Sequence, residues 1–182
     1  MRKIFFFGGI KKLKIFKNKL ILGLTSIIVL VLIIFGYTKI REYNLLKDAF
    51  VFKQENVVSI WRVKKGEDYH DYDYKLESNE VDALSSILTN SKLKKASIKD
   101  SPSNILGNLT ILLDGRTREV DGGTSYQFER SINITPIDEH SVYVFLEINK
   151  PRDDGSSNMH QIMQKSYIID SEKLVEFINE NT

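Results

Sequence analysis

Between Lys19 and Lys39 the chain runs for nineteen positions, residues 20–38, without a single charged side chain. A helix rising ~1.5 Å per residue would carry that stretch across roughly 28 Å, close to the ~30 Å hydrocarbon core of a bilayer. Inside lipid the backbone must satisfy its own hydrogen bonds, so the pattern predicts one transmembrane helix. Residues 39–55 prolong it as a juxtamembrane helix through Leu45 and Leu46 and then a stalk.

Beyond residue 55 the periodicity changes. Residues 56–63 alternate as a strand, and a turn at residues 64–68 leads into a returning strand over residues 69–76. On that return strand His70, Tyr72, Tyr74 and Leu76 share one face, opposite Asp71 and Asp73. Val81, Leu84, Ile87 and Leu88 recur at helical spacing after a cap at Ser78. A breaker at residues 101–104 precedes a meander. Leu109, Ile111 and Leu113 alternate up to Asp114-Gly115, a dipeptide that favours a two-residue hairpin turn. Residues 126–134 form a polar strand placed near an edge. Residues 141–149 form the strongest strand, with Val142, Val144, Leu146 and Ile148 toward the core and Tyr143 and Phe145 opposite. A hairpin tip at residues 151–158 leads back, and a last helix capped by Asp170 presents Leu174, Phe177 and Ile178. The pattern predicts an α+β domain over residues 56–182: one antiparallel β-sheet with two helices packed on one face.

Charge fixes an expected orientation. Residues 1–19 hold seven Lys or Arg and no acid, which leaves 19 basic against 24 acidic residues for the rest of the chain, a net −5. A basic tail beside an apolar span is retained in the cytoplasm, so residues 1–19 are expected inside and the domain outside the cell membrane. A cleaved signal peptide shares this layout. The apolar run exceeds a signal core of ~7–15 residues, however, and Gly36-Tyr37-Thr38 is a poor cleavage site. The chain has no cysteine, which excludes a thioether lipid anchor, disulfides and thiolate zinc sites. The negative, outward domain speaks against nucleic acid as a partner.

The motifs of common catalysts are missing: no GxxxxGKS phosphate loop, no GxGxxG, no HExxH and no GxSxG. Ser91 and Lys94 match SxxK without its companion elements. His70, His140 and His160 lack the local spacing of a metal site, although Asp138, Glu139 or Asp71 could add a carboxylate. Residues 153–158 are rich in oxygen but lack an EF-hand's ligand order. Asn108 and Asn133 head glycosylation patterns that matter only in a eukaryotic secretory pathway. No catalytic residue, metal or cofactor is therefore expected. The surface candidates are Trp61, Tyr143 and Phe145, on the sheet face away from the helices. They form either a thin second core or an exposed aromatic binding face.

The strand around Val58-Ser59-Ile60, the short amphipathic helix, and residues 97–104 ahead of a hydrophobic strand resemble the small uncharacterised extracytoplasmic α+β domains of membrane-anchored proteins in Gram-positive bacteria. The resemblance covers about residues 56–114 and implies location and fold type without site residues. The expected function is a membrane-anchored extracytoplasmic binding or interaction domain with a protein partner in the envelope. A small envelope hydrolase built on carboxylate and histidine is the alternative.

Overall fold

The computed structural model describes residues 7–67, 70–97, 100–102, 107–120, 123–151 and 159–182, with backbone alone for residues 7–22, 116–120, 123–126 and 151. Several sequence features lie outside the described residues: the first six positions, Tyr69 of the expected return strand, Ser103 and Asn104 of the breaker, Asp121-Gly122, and the acidic tip at residues 153–158.

The chain divides into two compact units, Met1–Leu46 and Lys47–Thr182. Helix α1, Phe7–Ala49, supplies nearly all of the first. Its stretch Gly23–Ala49 reaches a mean hydropathy of 2.0 over eighteen residues, none of them buried, and is long and apolar enough to cross a membrane. Ile27, Leu32 and Phe35 all stand out from it. The Thr38 hydroxyl donates back to the Phe35 carbonyl at 2.8 Å, so this polar group is satisfied within the helix. Residues 23–38 carry no charge on any side of the helix, unlike the one-sided apolar stripe of a soluble surface helix.

The second unit opens with the last turn of α1 and buries Ala49, Phe50 and Phe52. After a 3₁₀ turn at Gln54–Asn56 come β1 (Val57–Val63), β2 (His70–Asp71), α2 (Ser78–Asn90) and β3 (Leu93–Lys95). Strands β4 (Asn108–Val120), β5 (Gly123–Pro136), β6 (Ser141–Pro151) and β7 (Met159–Asp170) follow, and α3 (Glu172–Asn181) ends the chain. The seven strands form one open sheet in the order β2-β1-β4-β5-β6-β7-β3, antiparallel at every pair.

Register sorts the side chains into two faces, because neighbours directly across a ladder point the same way. Ile60, Ile111, Ile132 and Leu146 stand in one cross-strand row, and Leu109, Ile134 and Val144 in the row two residues on. All seven are buried, as are Val142 and Ile148 beside them on β6. Each such aliphatic side chain withdrawn from water stabilises by about 1.5–3 kcal/mol before entropic costs. Helix α2 buries Val81, Leu84 and Leu88, and α3 buries Leu174, Val175 and Ile178 while lying against β4, β5, β6 and α2.

The structure departs from the sequence pattern at several places. The return strand is two residues long, not eight, because the Asp71 carboxylate accepts the Asp73 N–H at 3.3 Å and turns the chain away. Asp114-Gly115 is no hairpin turn; β4 runs on to Val120, with Leu113 opposite Arg130 and Gly115 opposite Phe128 in one unbroken register. The polar strand β5 stands at the centre of the sheet, and β2 and β3 are the edges. Its polar residues mark a face rather than an edge. Leu93–Lys95 pairs with β7 as a strand that the hydrophobic pattern does not predict. The caps each move by one residue. Glu77 precedes α2, with its N–H bonded to the Glu80 carboxylate at 2.7 Å, and the Ser171 hydroxyl accepts the Leu174 N–H at 3.3 Å ahead of α3.

Candidate functional site

The face that alternates with the aliphatic rows is mixed: Val63, Leu112 and Tyr143 are buried on it, and polar and aromatic side chains stand among them. Its central row reads Trp61 on β1, Thr110 on β4, Asn133 on β5, Phe145 on β6 and Ser166 on β7. Asn133 donates its amide to the Thr110 hydroxyl at 2.6 Å, and the Thr135 hydroxyl donates to the Asn133 carbonyl oxygen at 3.2 Å. Trp61 and Phe145, both half-buried, therefore stand at two ends of an amide and hydroxyl floor. Tyr143, two residues from Phe145, is only 3% exposed, and its hydroxyl meets the Ser166 hydroxyl at 2.7 Å. Of the three aromatic candidates, one lies in the buried layer and two flank a polar strip. Thr110, Asn133 and Thr135 are the members that sequence reasoning missed. Strand alternation puts them opposite the core, but only the register of β4 against β5 shows that they touch.

Around β2 a second group gathers. Tyr72 meets Trp61 edge-on with ring centres 5.4 Å apart and lies parallel to His70 at 5.6 Å. Arg62 pairs with Asp71 at 2.8 Å, and its guanidinium sits 3.9 Å over the Tyr74 ring. The Tyr74 hydroxyl also bonds the Asn181 side-chain oxygen at 2.6 Å. Between β1 and residues 73–76 there is a cleft of about 590 Å³.

The remaining sequence candidates are directed elsewhere. The Ser91 hydroxyl donates to the Ile87 carbonyl at 2.6 Å, while Lys94 pairs with Asp170. His140 Nδ1 lies 2.9 Å from Glu172, His70 stacks on Tyr72, and His160 stands exposed on β7. Among the described residues no three His, Asp or Glu side chains gather as a metal site. The Asp138 carboxyl is displaced below its ordinary range. The His140 N–H, 2.8 Å from its Oδ1, holds it lower, with the Ser141 side chain assisting.

A further polar node fixes the start of the unit. Arg130 on β5 pairs through Nε with Asp114 and donates Nη1 to the carbonyls of Asp48, Ala49 and Val51 at 2.8, 2.9 and 2.9 Å. Asp114 also accepts the Asn56 side-chain amide at 2.9 Å. From the other side the Ser85 hydroxyl accepts the Phe52 N–H at 3.0 Å and donates to the Phe50 carbonyl at 2.9 Å. These contacts satisfy the carbonyls that a helix C-terminus leaves open. Compared with protein-family models, with curated proteins and with solved structures, the chain matches none of them.

Proposed function

We propose that this chain is a single-pass, membrane-anchored interaction module, with its N-terminus in the cytoplasm and the unit Lys47–Thr182 displayed outside to bind a protein of the cell envelope. The observation that carries the reading is the charge step across the apolar helix. Seven basic residues and no acid precede it, whereas every acidic residue follows it. In this reading α2 and α3 both cover the aliphatic face that includes Ile111, Ile132 and Leu146. On the opposite face the half-buried part of the central row is then left for a partner, with Trp61 and Phe145 as apolar contacts beside the Thr110–Asn133 floor. Aromatic anchors beside polar amide and hydroxyl groups are the usual ingredients of a protein-binding surface.

Photo-crosslinking in native membranes tests the binding face. Benzoylphenylalanine in place of Phe145 should give a discrete species of higher mass, and the same group in place of exposed Glu176 on α3 should not. Identical labelling patterns at the two positions, or none at 145, would count against the face.

A further inference from the structure

The cleft beside β1 has one wall made of an open strand edge. All of β1 except the bulged residue Val58 is matched with β4, but only Arg62 and Val63 are matched with β2. Residues 57–60 therefore have no strand partner on their outer side among the described residues. The chain that could have paired there peels off at Tyr72, whose carbonyl takes the Ser59 hydroxyl at 2.9 Å instead of a ladder bond.

The opposite wall, residues 73–76, is pinned in place. Tyr74 is clamped between the Arg62 guanidinium and Asn181, and Leu76 is buried. The gap is thus held open by contacts on both flanks. Its volume of about 590 Å³ is that of an ordinary ligand cleft.

We infer that this slot receives one short extended peptide of the envelope partner, added as a strand to the free edge of β1 at residues 57–60. The inference rests on the reading of the unit as an interaction module and names the chemistry of what it binds. Backbone N–H and C=O groups repeating along a strand edge are complementary to another extended backbone, which is the basis of strand addition. Asp73 and Lys75, both exposed and two residues apart, place one charge of each sign along the rim. They suit a peptide whose outward side chains alternate in charge. A second copy of this chain fits less well. The copy would bring its own 73–76 wall against this one, whereas a short peptide carries none.

The test uses the full chain in detergent micelles, ¹⁵N-labelled, with the capped heptapeptides TVKVEVT and TVEVKVT as probes. The amide resonances of residues 57–60 should shift with at least one peptide. N-methylation of alternate peptide residues should weaken that binding at least tenfold. The double variant Asp73→Lys with Lys75→Asp changes only exposed side chains and should reverse the preference between the two peptides. Shifts confined to other residues, none at millimolar peptide, or indifference to N-methylation would overturn the proposal. So would concentration-dependent shifts at residues 57–60 without peptide, which would make a second copy the occupant. Purified protein is used throughout, so the result is independent of which side of the membrane the unit occupies.

Discussion

Arg130 and Asp114 are joined diagonally across the β4–β5 ladder, and the pair ties residues 48–51, the start of the unit, into the middle of the sheet. Arg130 engages Asp114 through Nε while its Nη1 serves three carbonyls between residues 48 and 51. One planar fork can reach all of these at once; an ammonium cannot. Arg130→Met should lower the unfolding free energy of the unit by about 2–4 kcal/mol, since it strands a partly buried carboxylate and several carbonyls. Arg130→Lys should recover less than half of that loss. Denaturant melts of the full chain in micelles measure both, and full rescue by lysine would show that charge alone suffices.

The same node makes the first residues of the unit structural. Phe50 is 2% exposed and Phe52 3%, so Phe50→Ala should cost about 3–5 kcal/mol through the cavity it leaves. A fragment beginning at residue 47 should consequently melt well above one beginning at residue 55. Equal melting temperatures would mean that this segment merely rests on the sheet.

Gly115 next to Asp114 is a position where a side chain has no room. A Cβ there would fall 1.9 Å from the Gln127 carbonyl oxygen, so β4 and β5 approach too closely for alanine. Asp114 takes a positive φ of 53°, a conformation that aspartate tolerates better than most residues. Gly115→Ala should destabilise by about 2–4 kcal/mol, in the upper range for a single substitution. Hydrogen exchange should locate the damage in the β4–β5 ladder. Unchanged protection there would contradict the close approach.

This dipeptide also shows where sequence reading stops. Asp-Gly has the chemistry of a hairpin turn, and only its pairing with β5, from Leu113 opposite Arg130 to Gly115 opposite Phe128, reveals that it lies inside a long strand. The polar run of β5 has the same lesson. Ser131, Asn133 and Thr135 look like an exposed edge until Thr110 is brought against Asn133 by the register. By contrast, the alternation of Val142, Val144, Leu146 and Ile148 is local, and all four are buried as the pattern predicts. The apolar helix is also local information, readable without any tertiary contact. Of the candidate site, the face shared by Tyr143 and Phe145 is legible from the alternation of β6, and the register adds Trp61 of β1 to it. The cleft was not, because it depends on where the return strand breaks off.

Strand β6 offers a direct test of the two faces. Val144→Asp buries an unpaired carboxylate and should cost about 3–5 kcal/mol. Tyr143→Phe removes only the hydroxyl bonded to Ser166 and should cost about 1–2 kcal/mol. Thermal melts that rank the two variants the other way would contradict the register of β6.

The turn between β5 and β6 should show a modest pH dependence, because the Asp138 carboxyl is held low. Asp138 is held below the ordinary carboxylate range of about 4 by the His140 N–H, so its ionised form favours the folded state. That contribution is complete above the ordinary range and disappears as the pH falls through the lowered folded value. Asp138→Ala should melt slightly below the parent protein at pH 7, and the two should converge as the pH falls from about 5 to about 2. A gap that widens on acidification would reverse the assignment.

The display of the unit outside the cytoplasm is tested most directly by single-cysteine labelling, for which a chain with no cysteine of its own is well suited. Glu139→Cys marks an exposed turn of the domain, and Lys17→Cys marks the basic tail. In intact cells a membrane-impermeant maleimide should label position 139 and leave position 17 unlabelled until the membrane is permeabilised. Labelling at 17 with protection at 139 would contradict the orientation, and with it the proposal that this module meets its partner outside the cell.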